Sequence, residues 1–500
     1  MRHPQSDGQR ALGTYVLAAS WLLRDYAPIR TIPKLRFDAF AGYARRPLAQ
    51  IFGREVEYFE SDGGTIFGML IQDTSDGDYF GMIFAPDARL RYRSAGMTKF
   101  TDDPKAARAY LAAAMVDAEQ AEPETHHQGD EKGAPIDFFT PKRSAAALNP
   151  DFSTLISQET FSPAIGIIKP MMRWYEDVDG NFIEQFQTTG FDQRIWELYL
   201  YATLIENGFE LDRSDAVPDF VSSGLRGGFT MEAVTVGPTR QGGIIVPPPT
   251  RDTPDDQLRF LKDYMPIKFG SALFSKLGKR YWERPNVAGG PFVLAVADFS
   301  EPGSMIHTRS ALERYLYGMG VEDGTDAEGA LEWQFRPIES HSFGGKTIPS
   351  GFFRLPDAVN VSAVISSTAG TIAKFNRMGL KAGFGSGRVL MIREGTVVDH
   401  DPDARLPKMF KVIVNAPGYE ESWTEGMSVY HNPRALHPLD PDLFPDAAHH
   451  FQELDGRLRS FTPDFYPLGS VTRHIAPVDV AEVLTGAKAT HAMWTFRPED

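Results

Sequence analysis

The chain has 500 residues, and 51 Lys and Arg against 66 Asp and Glu give it a formal net charge of −15. Hydrophobic residues make up 42% and charged residues 23%, a globular composition that excludes wholesale disorder. Cysteine is absent, which excludes a disulfide scaffold, a thiolate zinc site and a cysteine nucleophile. The acidic balance argues against non-specific coating of nucleic acid but leaves room for a local basic groove.

The apolar run Ala11 to Leu23 ends at Arg24 and Asp25, short of the about 20 residues that a spanning helix needs. It reads as an amphipathic helix packed on its own domain, so no membrane partner and a cytoplasmic location are expected. Arg54 to Arg93 reads as a β-meander, with strand-like runs at Val56–Phe59, Gly64–Ile71 and Tyr79–Phe84 separated by Ser-Asp-Gly turns. A helix over Asp103 to Ala118 closes a first domain at 1–118. Residues 119–150, rich in Glu, Pro, Gly and Lys, read as a linker.

A second domain is expected over 151–328. Phe191 to Asn207 has helical spacing, with Ile195, Leu198, Ala202 and Ile205 on one stripe and Gly208 as its stop. Short strands follow at Asp219–Val221 and Gly228–Val236. After the Gly- and Pro-rich loop Gly237–Thr250 comes a helical region, Asp255 to Trp282. The nearly continuous apolar run Pro291–Ala297 then suits a strand buried on both faces. Residues 329–500 read as a β-rich domain, with strands at Val359–Ser367 and Val389–Arg393. The fold class is therefore mixed α/β, with an N-terminal β-meander, a central α/β core and a C-terminal β-rich unit.

Chemistry is expected where an acid occupies a costly position. In the strand Phe229 to Val236, Glu232 shares a face with Thr230, Val234 and Val236. A carboxylate there must be paired, protonated or bound to a cation. Pro218-Asp219 opens a strand that can lie beside it, and a divalent cation would relieve repulsion between the two acids. Glu197, on the preceding helix, could add a third oxygen. The bland alternatives are an exposed Arg194–Glu197 pair, a turn at Asp219, and a buried salt bridge at Glu232.

A helix bearing Glu197, then Pro218-Asp219, then Glu232 on a strand, resembles the restriction-endonuclease-like PD-(D/E)xK nuclease superfamily. The resemblance covers roughly Phe191 to Phe299. It implies Asp219 and Glu232 as ligands of Mg²⁺ or Mn²⁺, Glu197 as an assisting acid, and phosphodiester hydrolysis in nucleic acid, with DNA favoured over RNA. The family's lysine falls at Val234, so its role passes by resemblance to a displaced lysine, Lys276 or Lys279. Between Arg259 and Arg284, seven basic residues stand against two acids, and Tyr281 and Trp282 add faces on which bases could stack. The flanking regions would recognise substrate or a protein partner. Val234 keeps a second reading open, a catalytically silent scaffold or interaction protein. A third is a structural cation or salt-bridge site in an unrelated fold.

Elsewhere, Lys374-Phe375-Asn376-Arg377 reads either as a nucleic-acid contact or as a segment with its Phe in the core. His431 next to Asn432-Pro433 reads as a turn, and adjacent His449-His450 lacks ligand spacing.

Overall fold

The structure, a computed structural model, describes residues 29–178, 180–325, 331–401, 404, 406–486 and 493–496. The expected helix at 11–23 lies outside the described residues. The fold is mixed α/β, in two compact units. No described helix is long and apolar enough to cross a membrane.

The first unit comprises residues up to Ile136 together with Pro170–Tyr175. Strands β1 (Ile29–Thr31), β2 (Gly53–Ser61), β3 (Phe67–Asp73), β4 (Tyr79–Pro86) and β5 (Tyr92–Met97) form an antiparallel meander in sequence order, with α1 (Lys34–Ala41) following β1. Helix α2 (Pro104–Gln120) starts where the Asp103 side chain accepts a 2.9 Å bond from the Lys105 N–H. Its Leu111 and Met115 pack on Ile83 and Leu70. Glycines make the approach close: a Cβ at Gly81 would lie 2.7 Å from Leu111 Cδ1.

The second unit comprises Asp137–Lys169 and the chain from Glu176. Helix α3 (Phe191–Glu206) leads into an antiparallel meander of β6 (Glu210–Asp212), β7 (Phe220–Gly224) and β8 (Gly227–Val236). Helices α4 (Pro254–Arg259) and α5 (Met265–Leu277) carry the chain to β9 (Phe292–Asp298), which runs parallel to β8. Helix α6 (Arg309–Tyr317) then precedes β10 (Ala363–Ser367), parallel to β9. β9 is buried along its whole length, as its apolar run requires.

The sheet continues beyond the sequence-expected boundary at 328/329. After α7 (Ile372–Lys381), β11 (Leu390–Val397) and β12 (Lys408–Ile413) come β13 (Met427–His431), β14 (Ala448–Gln452) and β15 (Leu458–Phe461). The eight strands stand in the order β15-β14-β13-β10-β9-β8-β7-β6, so the last third completes the central sheet. Four further strands, β11 and β12 with β16 (Pro467–Ile475) and β17 (Met493–Phe496), form a second sheet in the order β16-β11-β12-β17. The separate C-terminal domain thus merges with the core, because β9 and β10 need neighbours on both edges to pair their backbone.

Helices α4 and α5 are joined by one π-helical stretch, Phe260–Tyr264. Pro266 has no N–H to return to the Lys262 carbonyl, its helical partner, and His341 Nδ1 donates to that oxygen instead at 3.0 Å. The hydrophobic core between sheet and helices joins Val234, Val236, Leu294 and Val296 to Phe269, Leu273 and Leu277 of α5 and Leu312 and Tyr315 of α6.

Lys374 and Arg377 lie in α7 with their charges buried against Glu421, at 2.8 Å each, and Phe375 is fully buried. That segment is therefore core rather than a nucleic-acid contact. His431 ends β13, and the expected turn follows at once, with the buried Asn432 accepting from the Ala435 N–H at 3.2 Å. The Phe444 carbonyl accepts from His449 Nε2 at 2.9 Å, so His449 Nδ1 must accept from His431 Nε2, also at 2.9 Å.

Burial pushes the His431 and His450 imidazoles down to about 3, with neighbouring charged and imidazole groups adding to the effect. Both are neutral in the fold and protonate near 6.5 when unfolded, so the unfolded state binds more protons below that pH. Stability should fall as pH drops from 6.5 towards 3, each histidine adding at most about 1.4 kcal/mol per pH unit. Urea denaturation of His450→Phe between pH 6.5 and 4.5 should show a shallower pH dependence than the wild type.

Candidate active site

Three elements meet around Glu232. β8 alternates its side chains, so Glu232 lies on the face that carries Val234 and Val236 against α5. The residue is only 5% exposed. β7 runs antiparallel beside it, with Phe220 opposite Met231, which brings Asp219 next to Glu232 at the mouth of that strand.

Every oxygen of Glu232 has a donor. Oε1 accepts from Lys276 Nζ at 2.5 Å and from the Tyr281 hydroxyl at 2.6 Å. Oε2 accepts from the Asp219 N–H at 3.3 Å. In the opposite direction, Asp219 Oδ2 accepts at 2.7 Å from the N–H of Ala233, the residue after Glu232, so the two acids are interlocked through the backbone of the paired strands. The Lys276–Glu232 ion pair is largely sheltered, with the lysine side chain 21% exposed and the carboxylate 7%.

Burial holds the Asp219 carboxyl well above the ordinary carboxylate range, and the charges of Glu197 and Glu232 push it further. The Ala233 N–H and Lys276 oppose that rise. Glu197 is itself engaged: its Oε2 accepts from Arg194 at 2.7 Å and its Oε1 from Gln193 at 3.1 Å. The Arg194 pairing is the bland sequence reading, but the pair is buried rather than exposed. Glu197 therefore acts on Asp219 through its field, with both of its oxygens occupied.

Of the two candidate lysines, only Lys276 is brought to the acids. Helix α5 stops at Leu277 with Gly278 as its cap, so Lys279 lies beyond the helix and is exposed. The helical region expected to reach Trp282 therefore ends at Leu277. Arg280 follows with φ 49°, a left-handed conformation uncommon outside glycine, and turns the chain back. That reversal aims Tyr281 at Glu232.

Tyr281 is the functional residue that sequence reasoning missed. It was expected to offer a stacking face, but it is 2% exposed and its ring packs on Phe292 with centroids 5.5 Å apart. Burial and the Glu232 charge raise its phenol well above the usual value, so it donates at neutral pH. The one available signal was its place just past a Gly-Lys-Arg helix stop, which suits a return to the core. Arg259, Lys279, Arg280 and Arg284 are exposed, and Trp282 is half-buried.

Among the described residues, no group of three or more His, Asp and Glu is arranged to hold a metal ion. Two carboxylates can nevertheless serve a hard cation that keeps several of its waters, and Mg²⁺ is usually held in that way. Asp219 and Glu232 are adjacent, and they are the two carboxylates that such an ion would use, with one backbone donor on Glu232 Oε2 and one on Asp219 Oδ2.

Lys276→Met should lower stability by about 1–3 kcal/mol, because Glu232 then keeps its buried charge with one donor fewer. Lys279→Ala should change it by less than about 0.5 kcal/mol. Urea denaturation of both variants at pH 7 checks the pair. No family model, curated protein or solved structure matches the chain.

Proposed function

We propose that the protein is a metal-dependent nuclease that hydrolyses phosphodiester bonds, with DNA as its substrate. The observation that carries this reading is the reach of Lys276 from α5 to Glu232 Oε1, at 2.5 Å. The Lys276 ammonium, brought to Glu232 by the helix after β8, supports the resemblance, whose lysine position is held by Val234. The order of helix, three-strand meander, helix and parallel strand from α3 to β9 supports the same resemblance.

Asp219 and Glu232 would hold Mg²⁺ or Mn²⁺, which supplies Lewis acidity beside the scissile phosphate. The two backbone bonds that interlock the acids fix their relative placement before substrate arrives. Lys276 is positioned to offset the charge that builds on a phosphoryl oxygen. The Glu197 carboxylate, whose charge raises the Asp219 carboxyl, would favour a cation there, while its partner Arg194 offsets part of that field. Exposed Arg259, Lys279, Arg280 and Arg284 would attract the phosphate backbone by charge alone. A cytoplasmic setting and a protein partner for the flanking regions belong to the same proposal.

A second reading, a catalytically silent nuclease-like scaffold, is favoured by Val234, which is 3% exposed in the core, and by the two donors that close Glu232 Oε1. Gel assays on single- and double-stranded DNA with Mg²⁺ or Mn²⁺ separate the two. The nuclease reading predicts metal-dependent cleavage that Asp219→Asn and Glu232→Gln reduce at least a hundredfold, with Lys276→Ala also strongly impaired. Absence of cleavage by folded wild-type protein on both substrates would favour the scaffold.

A further inference from the structure

Lys276 and Tyr281 donate to the same atom, Glu232 Oε1, at 2.5 and 2.6 Å. They differ in freedom. Tyr281 is 2% exposed and built into the core beside Phe292, Leu277 and Val287. Its ring has no route for its hydroxyl to leave Glu232 without repacking that core. Lys276 stands in the last turn of α5, one residue before its final Leu277, on a long stem that is 21% exposed. Of the two donors, only the lysine can exchange partners at little steric cost.

That difference matters because a buried carboxylate oxygen stripped of its donor carries the full desolvation penalty. With Lys276 alone on Oε1, moving the ammonium to another anion would expose Glu232 to that penalty. With Tyr281 in place, Oε1 keeps one short hydrogen bond while the lysine is away. We infer that Tyr281 is a positioning residue that holds Glu232 in register and so releases Lys276 to meet a phosphoryl oxygen of the substrate. The role rests on the nuclease reading and adds to it a division of labour that the acids and the lysine do not imply by themselves.

Tyr281→Phe removes only the hydroxyl. With a labelled DNA duplex and Mg²⁺, it should lower kcat about tenfold while leaving KM nearly unchanged. In a Lys276→Ala background, where Tyr281 is the last donor to Glu232 Oε1, the same change should lower kcat by a larger factor than in the wild type. A purely structural role for Tyr281 would instead lower kcat by the same factor in both backgrounds, and that result overturns the inference, as does an unchanged kcat in Tyr281→Phe. If the wild type cleaves and only this pattern fails, the nuclease reading stands without the inference. If the folded wild type does not cleave, both fall.

A second measurement covers the case in which Tyr281→Phe does not fold. Reductive methylation with ¹³C-formaldehyde labels the lysines of the wild type, and Lys276→Arg assigns the Lys276 signal. Adding duplex with non-cleaving Ca²⁺ should shift that signal as the ammonium leaves Glu232. An unshifted signal under saturating duplex overturns the inference.

Discussion

The unit built around the eight-stranded sheet depends on keeping a charge inside it. Glu232 sits mid-strand on a face otherwise filled by Val234, Val236 and the apolar stripe of α5. An isolated carboxylate there would cost several kcal/mol even after relaxation. Three donors answer it: a lysine from the end of α5, a phenol from the turn beyond, and the backbone of the neighbouring strand. Each of those donors has a structural price. Helix α5 ends at Leu277, Arg280 takes a left-handed conformation, and Asp219 is held against a second negative charge. Structural economy alone would have placed an apolar residue at position 232. An acid at that position beside two more acids is the ground on which the proposed chemistry rests.

A second island of buried charge shows what a closed arrangement looks like. Lys374, Arg377 and Arg393 surround Glu421, whose carboxyl is held well below its ordinary range despite full burial. The acid there is outnumbered by cations and is fixed as an anion. At Asp219 the balance is reversed, with two neighbouring carboxylates raising it and one lysine opposing. The first pattern ties α7 to the loop that carries Glu421. The second favours the protonated form of Asp219, a positive charge beside it being the alternative way to relieve the repulsion.

Much of the local structure was legible because it is written in short-range patterns. The meander of the first unit, α3, β8 and β9 follow from alternation, helical spacing and apolar runs. Glu232 stood out for the same reason, since alternation placed an acid on an apolar face. What escaped was set by long-range pairing. β13 joins β10 across 59 residues of intervening chain, and no local period announces that partnership. The Lys374–Arg377 segment read equally as a nucleic-acid contact or as core, because its partner, Glu421, lies more than forty residues away. Lys276 could be chosen over Lys279 only once the helix end at Gly278 was known, and Tyr281 only once the turn at Arg280 was known.

The central claim is that Asp219 and Glu232 form one cation site with Lys276 as its exchangeable counter-charge. The most direct test is a crystal soaked in Mn²⁺ and measured at the manganese absorption edge. The account predicts an anomalous peak within bonding distance of both carboxylates, with Lys276 moved off Glu232. A crystal without a peak at that position, in which Lys276 and Tyr281 still share Oε1, would contradict it.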